Sequence, residues 1–277
     1  MRAFDIPILM YHEIQPDDER APLSPTALTR RQFEHQLDVL RRLGRRTVTF
    51  DHLFRMMAGT APRTGREIML TFDDGYESFR SVVTPALLAR DMTATVFVPA
   101  GAVGGHNAWD VGSKSGYPRQ SLMNENSLRE VAALGMEIGA HGWAHRDLTA
   151  CSPAETGEEI VNAKSRLQDL LGAQVTIFSY PYGRYTKAHF ALLAEAGYRG
   201  AVAVLSRERF VTSNPYAMRR IRIRPGLGDL RFRFKLSALS LRYKAFRGHP
   251  GLADGIPEDI PGITPSARTA PSEKSRG

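Results

Sequence analysis

Two adjacent carboxylates, Asp73 and Asp74, stand where the apolar run Glu67-Ile68-Met69-Leu70 gives out into a turn at Gly75-Tyr76. Like charges side by side at the edge of a core repel and lose solvation, so the pair needs a cation or a shared proton. The ordinary alternative is a helix-capping Asp beside a turn Asp. Further along, His141 and His145 stand four residues apart. At that spacing one helical turn, or a tight loop, aims both imidazoles at a single point. Two imidazoles and one carboxylate form a donor set for zinc or a similar divalent ion, with positions left for water and substrate. Each pair alone says little; Asp-Asp after one strand and His-x-x-x-His after another say much more together.

Positioning these groups requires a regular framework, and the chain supplies one. Ile6 to Tyr11 reads as a buried strand ending at His12, followed by a polar, Pro-rich loop over 15–28. Thr29 caps a helix with Phe33, Leu37 and Leu40 on one face, ended by Gly44. Thr47 to Phe50 is a short strand, with a helix after Asp51. The aspartate-bearing strand leads into a helix through Ala89, then the strand Ala94 to Val98. Residues 101–124 carry Trp109 without periodicity and form the longest internal loop, a length usually tied to function.

A strand over Met136 to Ala140 is followed by Ser152-Pro153-Ala154-Glu155, a capping box with Pro at the first helical position. That helix runs to Leu171 and stops at Gly172. Strands follow at Val175 to Phe178 and Ala201 to Val204, with a helix between them. About seven alternations of apolar strand and amphipathic helix imply a parallel sheet wrapped in helices. Its length and regularity suit a single-domain α/β barrel over residues 1–228. In such a barrel, residues just past the C-terminal strand ends gather on one face. His12, Asp73-Asp74, His141 to His145 and Ser179 to Gly183 all fall there.

Composition narrows the field. No apolar run approaches the roughly 18 residues that span a membrane. A lone cysteine, Cys151, allows neither an intrachain disulfide nor a thiolate metal cage. The net charge of +8 comes from one segment, Arg219 to Arg247, with ten Lys or Arg against one acid, Asp229. Within it Phe232, Leu236, Leu239, Tyr243 and Phe246 follow helical spacing, which predicts a helix from Asp229 to Phe246. The basic amphipathic segment 229–249 packs across the barrel or, over 229–247, touches an anionic membrane. No nucleic-acid-binding module is present, and residues 250–277 have the composition of a disordered tail. The N-terminal residues lack a signal peptide's apolar stretch and cleavage site, so a cytoplasmic location is expected, with peripheral contact at the inner membrane.

Thr71-Phe72-Asp73-Asp74-Gly75, His141 to His145 and Tyr180-Pro181-Tyr182-Gly183 resemble, in order and spacing, the motifs of the polysaccharide deacetylase family. This is the NodB-homology group, or carbohydrate esterase family four, and the likeness covers roughly residues 5–225. It implies a distorted (β/α)7-type barrel and metal-dependent hydrolysis of N-acetyl groups on sugar polymers. Carried over, Asp74, His141 and His145 hold the metal, zinc foremost, and Asp73 is the general base. The backbone N–H of Tyr182 supports the oxyanion, with Pro181 fixing the turn. Tyr76, Trp109, Pro181 and Tyr182 are expected to line the sugar site.

Two positions depart from the family pattern. Ser179 stands where members often carry an Arg that orients the aspartate, and Ser supplies no charge. Gly142 replaces a Ser or Thr frequent after the first histidine. No Leu-x-His motif supplies a general acid near the C-terminus. However, Leu9-Met10-Tyr11-His12 resembles the opening strand of circularly permuted members, which nominates His12. The expected function is deacetylation of N-acetylhexosamine units. The alternatives are an O-acetyl esterase, a small-molecule amidase or a degenerate carbohydrate-binding module.

Overall fold

The computed structural model describes residues 6–17, 24–111, 117–204 and 214–236. The chain opens with β1 (Ile8–Tyr11), β2 (Ile14–Gln15), β3 (Leu28–Thr29), α1 (Arg30–Arg42), β4 (Arg46–Thr47), α2 (Phe50–Met57) and β5 (Glu67–Phe72). A π turn at Phe79–Val83 runs into α3 (Thr84–Leu88), followed by β6 (Thr95–Val98), α4 (Glu125–Ala133) and β7 (Glu137–Ala140). Next come α5 (Pro153–Gly157), a second π turn at Glu158–Asn162, and α6 (Ala163–Leu171). The described chain ends with β8 (Ile177–Ser179), α7 (Ala188–Glu195), β9 (Gly200–Ala203), β10 (Met218–Arg219), β11 (Ile221–Arg222) and α8 (Asp229–Leu236).

Local chemistry starts and stops several of these elements where the sequence says. Thr29 and Ser152 both close capping boxes, with Gln32 and Glu155 as their reciprocal partners. Gly172 ends α6 in the left-handed conformation. Most strand boundaries shift by a residue or two, and at one of them the element itself changes: Phe50 opens α2 instead of ending a strand. Thr49 caps that helix, and the half-buried Glu137 accepts through its carboxylate from the N–H groups of Phe50 and Asp51, each at 2.8 Å. Collecting first-turn donors in this way favours helix over extended chain.

The strands run parallel in the order β10-β9-β8-β7-β6-β5-β1-β11. β10 pairs with β9 and β11 with β1, although only Arg220 separates them in sequence. One short run of chain therefore bridges both edges and nearly closes a single-domain barrel. The predicted strand list lacks this segment. It is too short to show alternation, and its charges hide it in the basic region.

Inward-facing side chains form layers, because residues two apart on a strand share a face. The bottom layer is apolar, with Ile8, Met69, Phe97, Ile177, Val202 and Met218 packed against Phe50, Leu53 and Phe54 of the α2 region. The larger core lies between sheet and outer helices, where Leu9, Tyr11, Leu70, Phe72, Val96 and Phe178 meet Phe33, Leu37 and Leu167. Of the predicted helix Asp229 to Phe246, α8 covers Asp229–Leu236 and buries Phe232 and Leu236 in that outer core. Its remainder and the expected tail lie outside the described residues.

Candidate active site

Continuing the inward register by two residues at a time carries the apolar bottom into a polar top. On β1 the line is Ile8, Met10, His12; on β5 it is Met69, Thr71, Asp73; on β7 it ends at His141, and on β8 it passes Ile177 and Ser179. Asp73 thus faces the barrel axis because it is in phase with Met69. Its neighbour Asp74 would face the other way if the strand continued. Instead Asp74 and Gly75 both take left-handed backbone, φ 76° and 68°, which turns the second carboxylate back to the same side. A Cβ at Gly75 would press on Val98 at 3.3 Å.

Asp74, His141 and His145 are all buried, and their candidate ligand atoms lie within 4.8 Å of one another. His141 Nε2 is 3.5 Å and His145 Nε2 3.3 Å from Asp74 Oδ1. Tetrahedral zinc bonds of about 2.0–2.1 Å place neighbouring ligand atoms roughly 3.3 Å apart, so the spacing fits such an ion. The tautomer fits as well. His141 Nδ1 lies 2.8 Å from the carbonyl oxygen of Ser179, which only accepts, so Nδ1 carries the proton and Nε2 presents its lone pair. Burial alone would push Asp74 up, but the two imidazoles more than offset it and hold its carboxyl well below the ordinary range.

Asp73 is held by a residue the sequence reading missed. The Arg220 guanidinium, its side chain wholly buried, donates to Asp73 Oδ1 at 2.7 Å and Oδ2 at 2.8 Å. Ser179 Oγ donates to Asp73 Oδ1 at 3.3 Å and accepts from Arg220 at 3.0 Å. Ser179 supplies no charge, and the positive charge beside Asp73 comes instead from Arg220, the residue between β10 and β11. Against the burial that would raise it, Arg220 and His141 hold Asp73 below its ordinary value, charged and oriented. In sequence Arg220 is one of ten basic residues between Arg219 and Arg247, and no local pattern marks it.

His12 lies near enough for both aspartates to raise its pKa, but burial dominates and leaves it below the ordinary imidazole value. Its Nδ1 is buried without a partner. Trp109 stacks on His145 with ring centroids 4.5 Å apart and planes at 15°, so one indole face covers a candidate ligand. Beside it, burial and the charge of Asp74 push Asp110 up to about 6. Tyr182 meets the edge of His145 at 4.9 Å and remains 49% exposed, open to a ligand. Tyr76 and Pro181 are buried; Tyr76 bridges to Leu122 and anchors the returning limb of the long loop.

Strain gathers here. Of the four non-glycine residues with positive φ among those described, Asp74, His145 and Tyr182 belong to the site. Left-handed backbone costs an L-residue roughly 1–2 kcal/mol, and it persists where the surroundings over-determine it. Chemically, the arrangement offers a three-ligand cation site with an ionised carboxylate and an imidazole beside it.

A protein-family model described as polysaccharide deacetylase matches residues 60–201, just over half the chain. YxkH of Bacillus subtilis, which carries a polysaccharide deacetylase name, is 26% identical over 228 residues, covering 82% of this chain and 74% of its own. A chitooligosaccharide deacetylase of Bradyrhizobium is 30% identical over 135 residues, 48% of this chain and 53% of that one. Among solved structures, a Streptococcus pyogenes deacetylase, PplD, in complex with acetate matches with a TM-score of 0.72 at 24% identity, over 85% of this chain and 100% of its own. That likeness supports the fold. His12 and Arg220 fall outside the matched family segment.

Proposed function

The chain belongs to the polysaccharide deacetylase family, and from that premise we propose that it is a divalent-metal-dependent hydrolase removing N-acetyl groups from N-acetylhexosamine units of a polysaccharide or oligosaccharide. The convergence of Asp74, His141 and His145 beside an ionised, arginine-held Asp73 carries this reading. A pure binding module has no use for a base beside the cation. Asp74, His141 and His145 would hold the ion, zinc foremost, which when bound supplies Lewis acidity at the acyl oxygen.

The chain's own residues account for the proton movements. Asp73 accepts the proton of an attacking water, because its charge is maintained at neutral pH by Arg220. The backbone N–H of Tyr182, in its left-handed turn, donates to the developing oxyanion. Burial lowers the His12 pKa, so the imidazole is charged by the proton that Asp73 takes from the water, and it passes that proton to the departing amine. Tyr182 and the outward parts of Trp109 border the entry for the sugar.

The reading is tested by acetate release from chitooligosaccharides, with acetylated xylan and a small acetamide in parallel. Chelation is expected to abolish release from the chitooligosaccharide, and zinc to restore it. Release from xylan or the small amide alone would transfer the site to the esterase or amidase reading. His12→Gln separates the acid role from a structural one. Amide deacetylation is expected to fall by roughly 10²–10⁴, the usual range for a general acid. Hydrolysis of an aryl acetate, whose leaving group needs no proton, changes little. Equal losses on both substrates would remove His12 from the acid role.

A further inference from the structure

The His141–His145 loop is held from both sides. Its carbonyls accept from the next loop: Ala100 N–H donates to the Gly142 oxygen at 3.0 Å and Gly101 N–H to the Trp143 oxygen at 2.8 Å. Its amides converge on one buried carboxylate, that of Glu159, which is 1% exposed. Trp143 N–H donates to Oε2 at 2.9 Å, Ala144 N–H reaches both oxygens at 3.0 and 3.1 Å, and Arg146 N–H lies at 3.4 Å from Oε2. Glu159 projects from the π turn Glu158–Asn162 that interrupts the α5–α6 helix. Such single-turn insertions re-aim side chains and recur at functional sites.

Gly142 explains why this arrangement exists. Its φ is +80°, and a Cβ there would lie 2.4 Å from Glu159 Oε2. A side chain at 142 would strain the backbone and push the Glu159 carboxylate off this place. The glycine that seemed to remove a supporting hydroxyl from the loop instead makes room for a charged acceptor from a distant helix. Hydrogen bonds to a carboxylate are roughly twice as strong as neutral ones. They gather the donors of a loop whose last member, His145, sits in strained left-handed backbone.

We propose that Glu159 is a positioning residue that fixes the His141–His145 loop in its metal-binding conformation. This rests on the metal-site reading above. Without Glu159, three amides lose their common acceptor and His145 relaxes from its left-handed conformation, moving its Nε2 away from Asp74.

Glu159→Gln keeps the shape but turns an NH₂ group toward backbone donors. It is expected to weaken zinc binding by about 10–100-fold, the usual cost of losing support behind a ligand, with far-ultraviolet circular dichroism unchanged. Binding is read from intrinsic fluorescence, since Trp109 and Trp143, the chain's two tryptophans, both lie at this loop. Amide exchange at Trp143 and Ala144 is expected to accelerate in the metal-free protein. A purely structural Glu159 would lower the melting temperature without changing zinc affinity of the folded protein. Zinc affinity within twofold of wild type, with unchanged Ala144 exchange, overturns the proposal. If Glu159→Gln fails to fold, Gly142→Ala attacks the same contact from the other side and is expected to give both shifts. If wild type binds no zinc, the metal reading itself falls, and Ala144 exchange alone decides whether Glu159 holds the loop.

Discussion

Asp73→Asn is expected to lower kcat for acetate release by about 10²–10⁴, the range supplied by a positioned general base, while the protein still binds zinc. The two effects are expected to separate because Asp73 and Asp74, adjacent in sequence, make different contacts. Asp74 meets His141 and His145 at 3.5 and 3.3 Å, whereas Asp73 is engaged by Arg220 and Ser179. The amide of Asn cannot take a proton from water, but it still fills the space and accepts one hydrogen bond from the guanidinium. Some stability is lost too, because Arg220 keeps its charge in the barrel without a counterion. Zinc content, circular dichroism and acetate release on one preparation check this. Turnover within threefold of wild type at full zinc loading would remove Asp73 from the base role.

Arg220→Met should be the most destabilising single change at the site. Breaking a buried ion pair by removing one partner costs about 3–5 kcal/mol, since the remaining charge is left desolvated. Here the remaining charge is Asp73, and its pH response should reverse in sign. In wild type the Asp73 pKa is depressed, so its contribution is present at neutral pH and disappears as pH falls through the folded value. Without Arg220, burial, the largest single influence, is opposed only by the His141 and His12 imidazoles, and the pKa is expected to rise above the unfolded one. The stability tied to Asp73 is then greatest at low pH and lost as pH rises. Urea denaturation of the metal-free proteins at pH 5 and 7.5 reads this directly: the variant's deficit is expected to be larger at pH 7.5. A deficit under about 1 kcal/mol, or one independent of pH, would show that Asp73 does not depend on Arg220. Arg220→Lys should recover only part, because a single ammonium cannot replace a two-pronged contact.

Most of the candidate site was legible in the chain because it sits in short, contiguous motifs. Asp73-Asp74, His141 with His145, and Pro181-Tyr182 each follow an apolar strand, and strand ends collect on one face of a parallel barrel. The helix starts at Thr29 and Ser152 were equally legible, since a capping box is a local contact over three residues. Arg220 and Glu159 were not. Arg220 lies among ten basic residues, and nothing in its neighbourhood distinguishes a guanidinium aimed into the barrel from one in water. Glu159 sits in an unremarkable acidic pair on an amphipathic helix, and only the widened turn directs it at the loop. Trp109 was legible as an aromatic near the site but not as the cover of His145.

The sequence by itself determined the barrel and which candidate groups gather at its strand ends. Strand hydrophobicity and period-two spacing decide which side chains face the axis, and His12, Asp73 and His141 are in phase with Ile8, Met69 and Gly139. What only the tertiary structure decided is how the departures at Ser179 and Gly142 are compensated. Arg220 lies 147 residues from Asp73 in sequence, and Glu159 lies 15 from Ala144 across a loop and a helix start. A charge or a hydrogen-bond acceptor acts through space, so a site can keep its electrostatics while moving the residue that supplies them. Local pattern carries no record of such a move; the closing strand and the π turn do.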